Sequence, residues 1–119
     1  MNDTQRTQLI WSTDFQLHDT GDHPERPARI LALELALSGA GMFANRQVHD
    51  PVPATLESIL AVHSDLLIER VRRTAANGGA WMDQDTYVSA ASYEIALLAA
   101  GAAIQAVDLV MSGDASRAF

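Results

Sequence analysis

The order of apolar and polar positions predicts one strand followed by a series of helices. Residues 8–13 (Gln-Leu-Ile-Trp-Ser-Thr) form a β-prone run, and residues 14–26 then bring Asp, His, Thr, Gly and Pro in close succession, the composition of a loop. Pro27 suits the first turn of a helix, where its missing N–H leaves no bond unmade, and Ile30, Leu33 and Leu37 follow at helical spacing until Gly39 and Gly41 end it. Residues 46–49 predict a second short strand ahead of Pro51 and Pro53. Thr55 caps a short helix ending near Val62. Ser64 caps another, with Leu67, Ile68 and Val71 on one face, which stops at Asn77-Gly78-Gly79. Residues 79–88 read as a polar loop around Asp83 and Asp85, after which Ser89 caps the longest helix, about residues 90–111, with Gly113 beyond its end.

That last helix is apolar nearly all round. Ile95, Leu98, Ala102, Ala106 and Leu109 make one stripe, and Ala99, Ala100, Ala103, Val107 and Val110 widen it, so the helix is expected to be buried by several neighbours. Its longest uninterrupted apolar run, residues 95–104, includes Gly101 and falls short of the roughly 20 residues that span a bilayer, so no membrane partner is expected. A fresh apolar run begins near Phe119, as though another element were starting. The order β, α, β, α, α, α fits an α/β layer that needs further strands, and the expectation is a single incomplete domain over residues 1–119.

Composition narrows the partners. In 119 residues, eight Lys and Arg face fifteen Asp and Glu, a formal charge of −7 that argues against nucleic acid and anionic lipid. The absence of cysteine removes disulfides, thiolate metal sites and a cysteine nucleophile. The N-terminus lacks the apolar stretch of a secretory signal, so a cytoplasmic location is expected.

Several clusters invite chemistry. Asp14, His18, Asp19, Asp22 and His23 are residue types that bind divalent ions when they converge, but in a Gly/Pro loop they read as turn formers and caps, and no metal site is assigned. Asp83 and Asp85 resemble the start of a calcium loop, yet Tyr87 and Val88 stand where an oxygen ligand and a glycine are needed, which leaves a capping loop. Arg70, Arg72 and Arg73 read as a solvated face paired with Glu69, and His63 as a packing or capping residue. No nucleophile elbow or phosphate-cradling glycine loop is present.

The stretch from His18 through His23-Pro24-Glu25-Arg26-Pro27-Ala28-Arg29 to Ile30 resembles the signature of the histone deacetylase superfamily, nearest its class II-like, acetoin-utilisation and acetylpolyamine branches. Ala61-Val62-His63-Ser64, Gly78-Gly79 leading to Asp83-Gln84-Asp85-Thr86, and the helix after it follow in the family's order, so the resemblance covers nearly the whole chain. It implies an open arginase-deacetylase α/β sheet, of which this chain would be the N-terminal part, mostly helical with one or two short strands.

The resemblance further implies a zinc-dependent amide hydrolase acting on acetylated lysine or a related amine in a complete parent enzyme. Asp85 matches the rim aspartate that holds the substrate's backbone amides, and Arg29 the arginine lining the internal cavity. His23, Pro24, Glu25 and Pro27 match structural positions of the signature. The family's zinc ligands, histidine pair and tyrosine would all lie beyond Phe119, so neither catalytic residue nor cofactor is expected in the chain itself. Two expectations follow: a fragment inactive alone, or a stand-alone α-rich module that forms homo-oligomers through exposed apolar helix surfaces.

Overall fold

The computed structural model describes residues 6–119. At its centre is β1 (Thr7–Ile10), the middle strand of a parallel sheet ordered β2-β1-β5, with β2 at Val48–His49 and β5 at Arg117–Ala118. Leu9 stands opposite Val48 and Thr7 opposite Arg117, and Ile10 N–H reaches the Phe119 carbonyl at 2.8 Å. A central parallel strand is covered on both faces, and Gln8, Leu9 and Ile10 are all buried. The buried Gln8 amide is paired at both ends: Nε2 donates to the Asp114 carbonyl at 2.8 Å, and Oε1 accepts from His49 Nε2 at 2.7 Å.

The crossovers are helical, as parallel strands require. A 3-10 turn (Thr13–Leu17) leads from β1 towards α1 (Pro27–Gly39), which starts on Pro27, and the single turn of α2 (Met42–Asn45) leads into β2. α3 (Leu56–Leu60) and α4 (Asp65–Ala76) carry the predicted caps: the hydroxyl of Thr55 accepts from Ser58 N–H and that of Ser64 from Leu67 N–H, both at 3.2 Å.

Residues 79–88, expected as a loop, are instead an antiparallel hairpin of β3 (Gly79–Trp81) and β4 (Tyr87–Ser89), with Trp81 opposite Tyr87. Three-residue strands are too short to show an alternating pattern, and what selects them is their pairing. Gly79 is required there: its φ is +101°, and a Cβ on it would lie 2.4 Å from the Val88 carbonyl oxygen.

The longest helix, α5 (Ser92–Met111), differs from expectation in two respects. Its N-cap is Ala91, without a side-chain cap bond, because Ser89 is committed to β4 and donates its own N–H to Ser92 Oγ at 2.7 Å. It is also covered on one side only. α5 packs on β1, β4, β5 and α4, yet within it only Ser92, Ile95 and Gly101 are buried, and Val107 and Met111 remain 59% and 80% exposed. The 3-10 turn and residues 52–54 also touch it, and together these neighbours leave its other face open. Among the described residues α5 is the one helix long and apolar enough, by length and composition, to cross a membrane, with a mean hydropathy of 1.7.

Candidate functional site: the His-Pro-Glu segment and the hairpin tip

The loop ahead of α1 is a chain of local bonds. Asp19 accepts from Gly21 N–H at 2.9 Å, the buried Thr20 hydroxyl donates to the Glu25 carbonyl, and Asp22 pairs with Arg26 at 3.2 Å. Together these turns carry His23 inward, where 15% of its side chain stays accessible. Its Nδ1 accepts from the Glu25 N–H at 3.0 Å and therefore carries no proton. The ring hydrogen sits on Nε2, which donates to Asp85 Oδ1, also at 3.0 Å.

Asp85 belongs to the tip of the hairpin. Its backbone N–H donates to Asp83 Oδ1 at 2.8 Å, and Met82 N–H closes the turn on the Thr86 carbonyl at 2.8 Å. The Asp85 N–H, followed by the Thr86 hydroxyl, holds the Asp83 carboxyl below the usual carboxylate range. Asp83 is thus the turn's internal brace. The Asp85 carboxylate points outward, 92% exposed.

Arg29 lies in the first turn of α1 and pairs with the Glu25 carboxylate. Both line a mainly apolar cleft of about 580 Å³ whose walls include Trp11, Phe15, Ile30 and Ile95. Pro24 joins His23 to Glu25, and Pro27 opens α1, so the signature residues act as one bracket between the loop and the helix.

The structure therefore joins His23 to Asp85 and leaves Arg29 apart from them. It does not gather the loop's metal-type residues: His18 Nδ1 contacts Ser92 Oγ at 2.6 Å, while Asp19, Asp22 and His23 go to the separate partners given above. Among the described residues no group of three His, Asp or Glu could hold a metal ion. Arg72 and Arg73 converge on Glu69, at 2.8 and 2.6 Å, and Arg70 donates to the Met82 carbonyl at 2.9 Å. His63, exposed, ends α3 through its backbone N–H to the Ile59 carbonyl at 2.9 Å. Sequence reasoning missed Trp81, whose ring lies 6.2 Å from that of His23 and 5.2 Å from Tyr87. An aromatic two residues before an Asp-x-Asp tip was the available signal.

Sheet order, crossovers and hairpin together define part of a parallel α/β domain. The family profile of the histone deacetylase domain matches residues 23–119, and the chain belongs to that family. It is 37% identical over 97 residues to a histone deacetylase-like amidohydrolase of Pseudomonas aeruginosa, an alignment covering 82% of this chain and 26% of the relative. A probable deacetylase of Methanothermobacter thermautotrophicus is 32% identical over 84% of this chain and 30% of its own length. The crystal structure of the HDA15 HD domain superposes with a TM-score of 0.90 at 25% identity, covering 98% of this chain and 34% of that one. The chain thus spans about a third or less of the length of these proteins.

Proposed function

We propose that the chain provides the substrate rim and part of the scaffold of a zinc-dependent deacetylase of this family, and that on its own it does not hydrolyse amides. The observation that carries the reading is the bond from His23, in the His-Pro-Glu signature, to Asp85, the position that the family resemblance assigns to substrate binding. An exposed, ionised carboxylate on a braced turn is suited to accept two backbone N–H groups flanking an acylated side chain. Arg29, beside the apolar cleft, is proposed to line the internal cavity.

The residues present do not fit a zinc ion, since no three potential ligands converge among those described, and no step through a metal is assigned to this chain. Its own contribution is binding and orientation. The rival reading, a stand-alone assembly module, is not favoured, because almost the whole chain superposes on a deacetylase domain. Self-association through the outer face of α5 is a separate proposal, supported by the exposure of Val107 and Met111, and light scattering across micromolar concentrations tests it.

Two assays test the main reading. With an acetyl-lysine peptide and added zinc, this chain is expected to release no acetate, and turnover would overturn the claim of inactivity. Grafted in place of the matching segment of the Pseudomonas amidohydrolase, it is expected to support hydrolysis. Asp85→Asn in the graft then lowers kcat/KM about 10- to 100-fold, the loss of charge-assisted hydrogen bonds. An unchanged kcat/KM would remove Asp85 from the substrate's surroundings.

A further inference from the structure

Asp85 is held by its backbone but not, within its own turn, by its side chain. The hairpin fixes its N–H on Asp83 and closes around it, while the carboxylate stands in solvent with no side-chain bond to the hairpin itself. His23 is the opposite case. Its ring is largely enclosed, lies against Trp81, and is locked in one tautomer by the Glu25 N–H. The single N–H it can offer is aimed at Asp85 Oδ1, and among the described residues Oδ2 takes no partner.

We infer that His23 is a positioning residue for the Asp85 carboxylate, selecting one orientation of it and leaving Oδ2 open to the N–H groups of a bound peptide backbone. The inference rests on the reading of Asp85 as the substrate-amide acceptor and adds what prepares that acceptor. A neutral imidazole suits this role because it orients the carboxylate through one bond without neutralising the charge the substrate N–H groups must meet. The Glu25 N–H secures this by occupying Nδ1, so that the backbone of the signature dictates which ring nitrogen donates. Side-chain order settled before binding is order that binding need not impose, which is how such a contact would favour the complex.

The test uses the full chain, isotopically labelled, and two variants. His23→Phe keeps a ring beside Trp81 and removes both nitrogens, whereas His23→Gln keeps an N–H donor at the reach of Nε2. Three-bond couplings report the Asp85 rotamer, and imidazole nitrogen shifts report the tautomer. The wild type is expected to show one dominant Asp85 rotamer and an unprotonated Nδ1, His23→Gln to retain that rotamer, and His23→Phe to spread it over the staggered wells. Averaged couplings in the wild type, a proton on Nδ1, or an unchanged rotamer in His23→Phe would overturn the inference. Should His23→Phe lose a dispersed amide spectrum, the wild-type couplings and nitrogen shifts decide alone. Titration with an acetyl-lysine peptide separates the two readings: no shift at Asp85, with the rotamer results as expected, would sink the substrate assignment and leave the positioning contact standing.

Discussion

Gly101 and Val52 meet so closely that a Cβ placed on Gly101 would lie 1.7 Å from the Val52 carbonyl oxygen. The missing side chain lets residues 50–54 lie directly on α5, where Ala54 N–H donates to the Leu97 carbonyl at 2.9 Å and the Gln105 side chain bridges Val52 N–H and the Asp50 carbonyl, each at 3.2 Å. Pro51 and Pro53 bring no N–H to this contact, and the N–H groups of Val52 and Ala54, the two donors of residues 51–54, are both matched. At an open helical position, replacing glycine by alanine would stabilise by about 1 kcal/mol. Here the atoms in the way are backbone and cannot rotate aside, so overpacking outweighs propensity. Gly101→Ala is expected to lose about 2–3 kcal/mol in urea unfolding. A variant as stable as the parent would show that the segment does not dock on α5.

Ser92 ties the first loop to the start of α5. Its buried hydroxyl accepts from Ser89 N–H at 2.7 Å and contacts His18 Nδ1 at 2.6 Å and Ser89 Oγ at 2.8 Å, using the one donor and two acceptor sites a serine has. Ser92→Ala would leave a backbone N–H and a ring nitrogen without partners. The expected loss is about 1–3 kcal/mol in denaturant unfolding, together with a displaced His18 ring signal. Loss of less than about half a kcal/mol, the range of an ordinary surface substitution, would contradict the network.

Local signals in the sequence located what local bonds build. Pro27, Thr55 and Ser64 each start the helix their chemistry predicts, and the pairing of Arg72 and Arg73 with Glu69 follows from helical spacing alone. Ser89 misled because its hydroxyl would cap a helix equally well, and only the pairing of Gly79 with Ser89 places it in a strand. The half-exposed state of α5 was hidden for a related reason: an apolar surface states a need for cover, not whether the chain meets it. The site shows the same limit. His23 and Asp85 are 62 residues apart, a contact no periodicity encodes; residue type alone flags each as a metal or calcium candidate and then as a turn former, and only the motifs resembling the family's give Asp85 a substrate role.

Gln8 is the polar exception in the innermost strand. Its amide bonds the Asp114 carbonyl on one side and His49 on the other, fastening β1 to the segments that deliver both neighbouring strands. Gln8→Met keeps the length and removes both bonds. The transferred apolar surface offsets part of the loss, but two part-buried bonds are lost, so a net destabilisation of about 1 kcal/mol is expected from urea midpoints. An unchanged midpoint would mean that His49 and Asp114 find water instead.

Glu69 sets the acid sensitivity of α4. Hydrogen bonds from Arg72, then from Arg73, lower its pKa from 4.5 to about 2. A carboxyl lowered by folding adds stability that is fully present above its unfolded value and is lost as pH falls through the folded one. The window therefore runs from pH 4.5 down to about 2, and at neutral pH the contribution is complete. All three side chains reach solvent, so the effect is modest and weakened by salt. Carbon-detected titration of the Glu69 carboxyl should give a midpoint near 2, rising towards 4.5 in Arg72→Gln and further when Arg73→Gln is added. Glu69→Gln should be less stable than the parent above about pH 5 and should converge with it near about pH 2. A midpoint at the ordinary carboxylate value would mean that the two arginines do not hold Glu69 in solution.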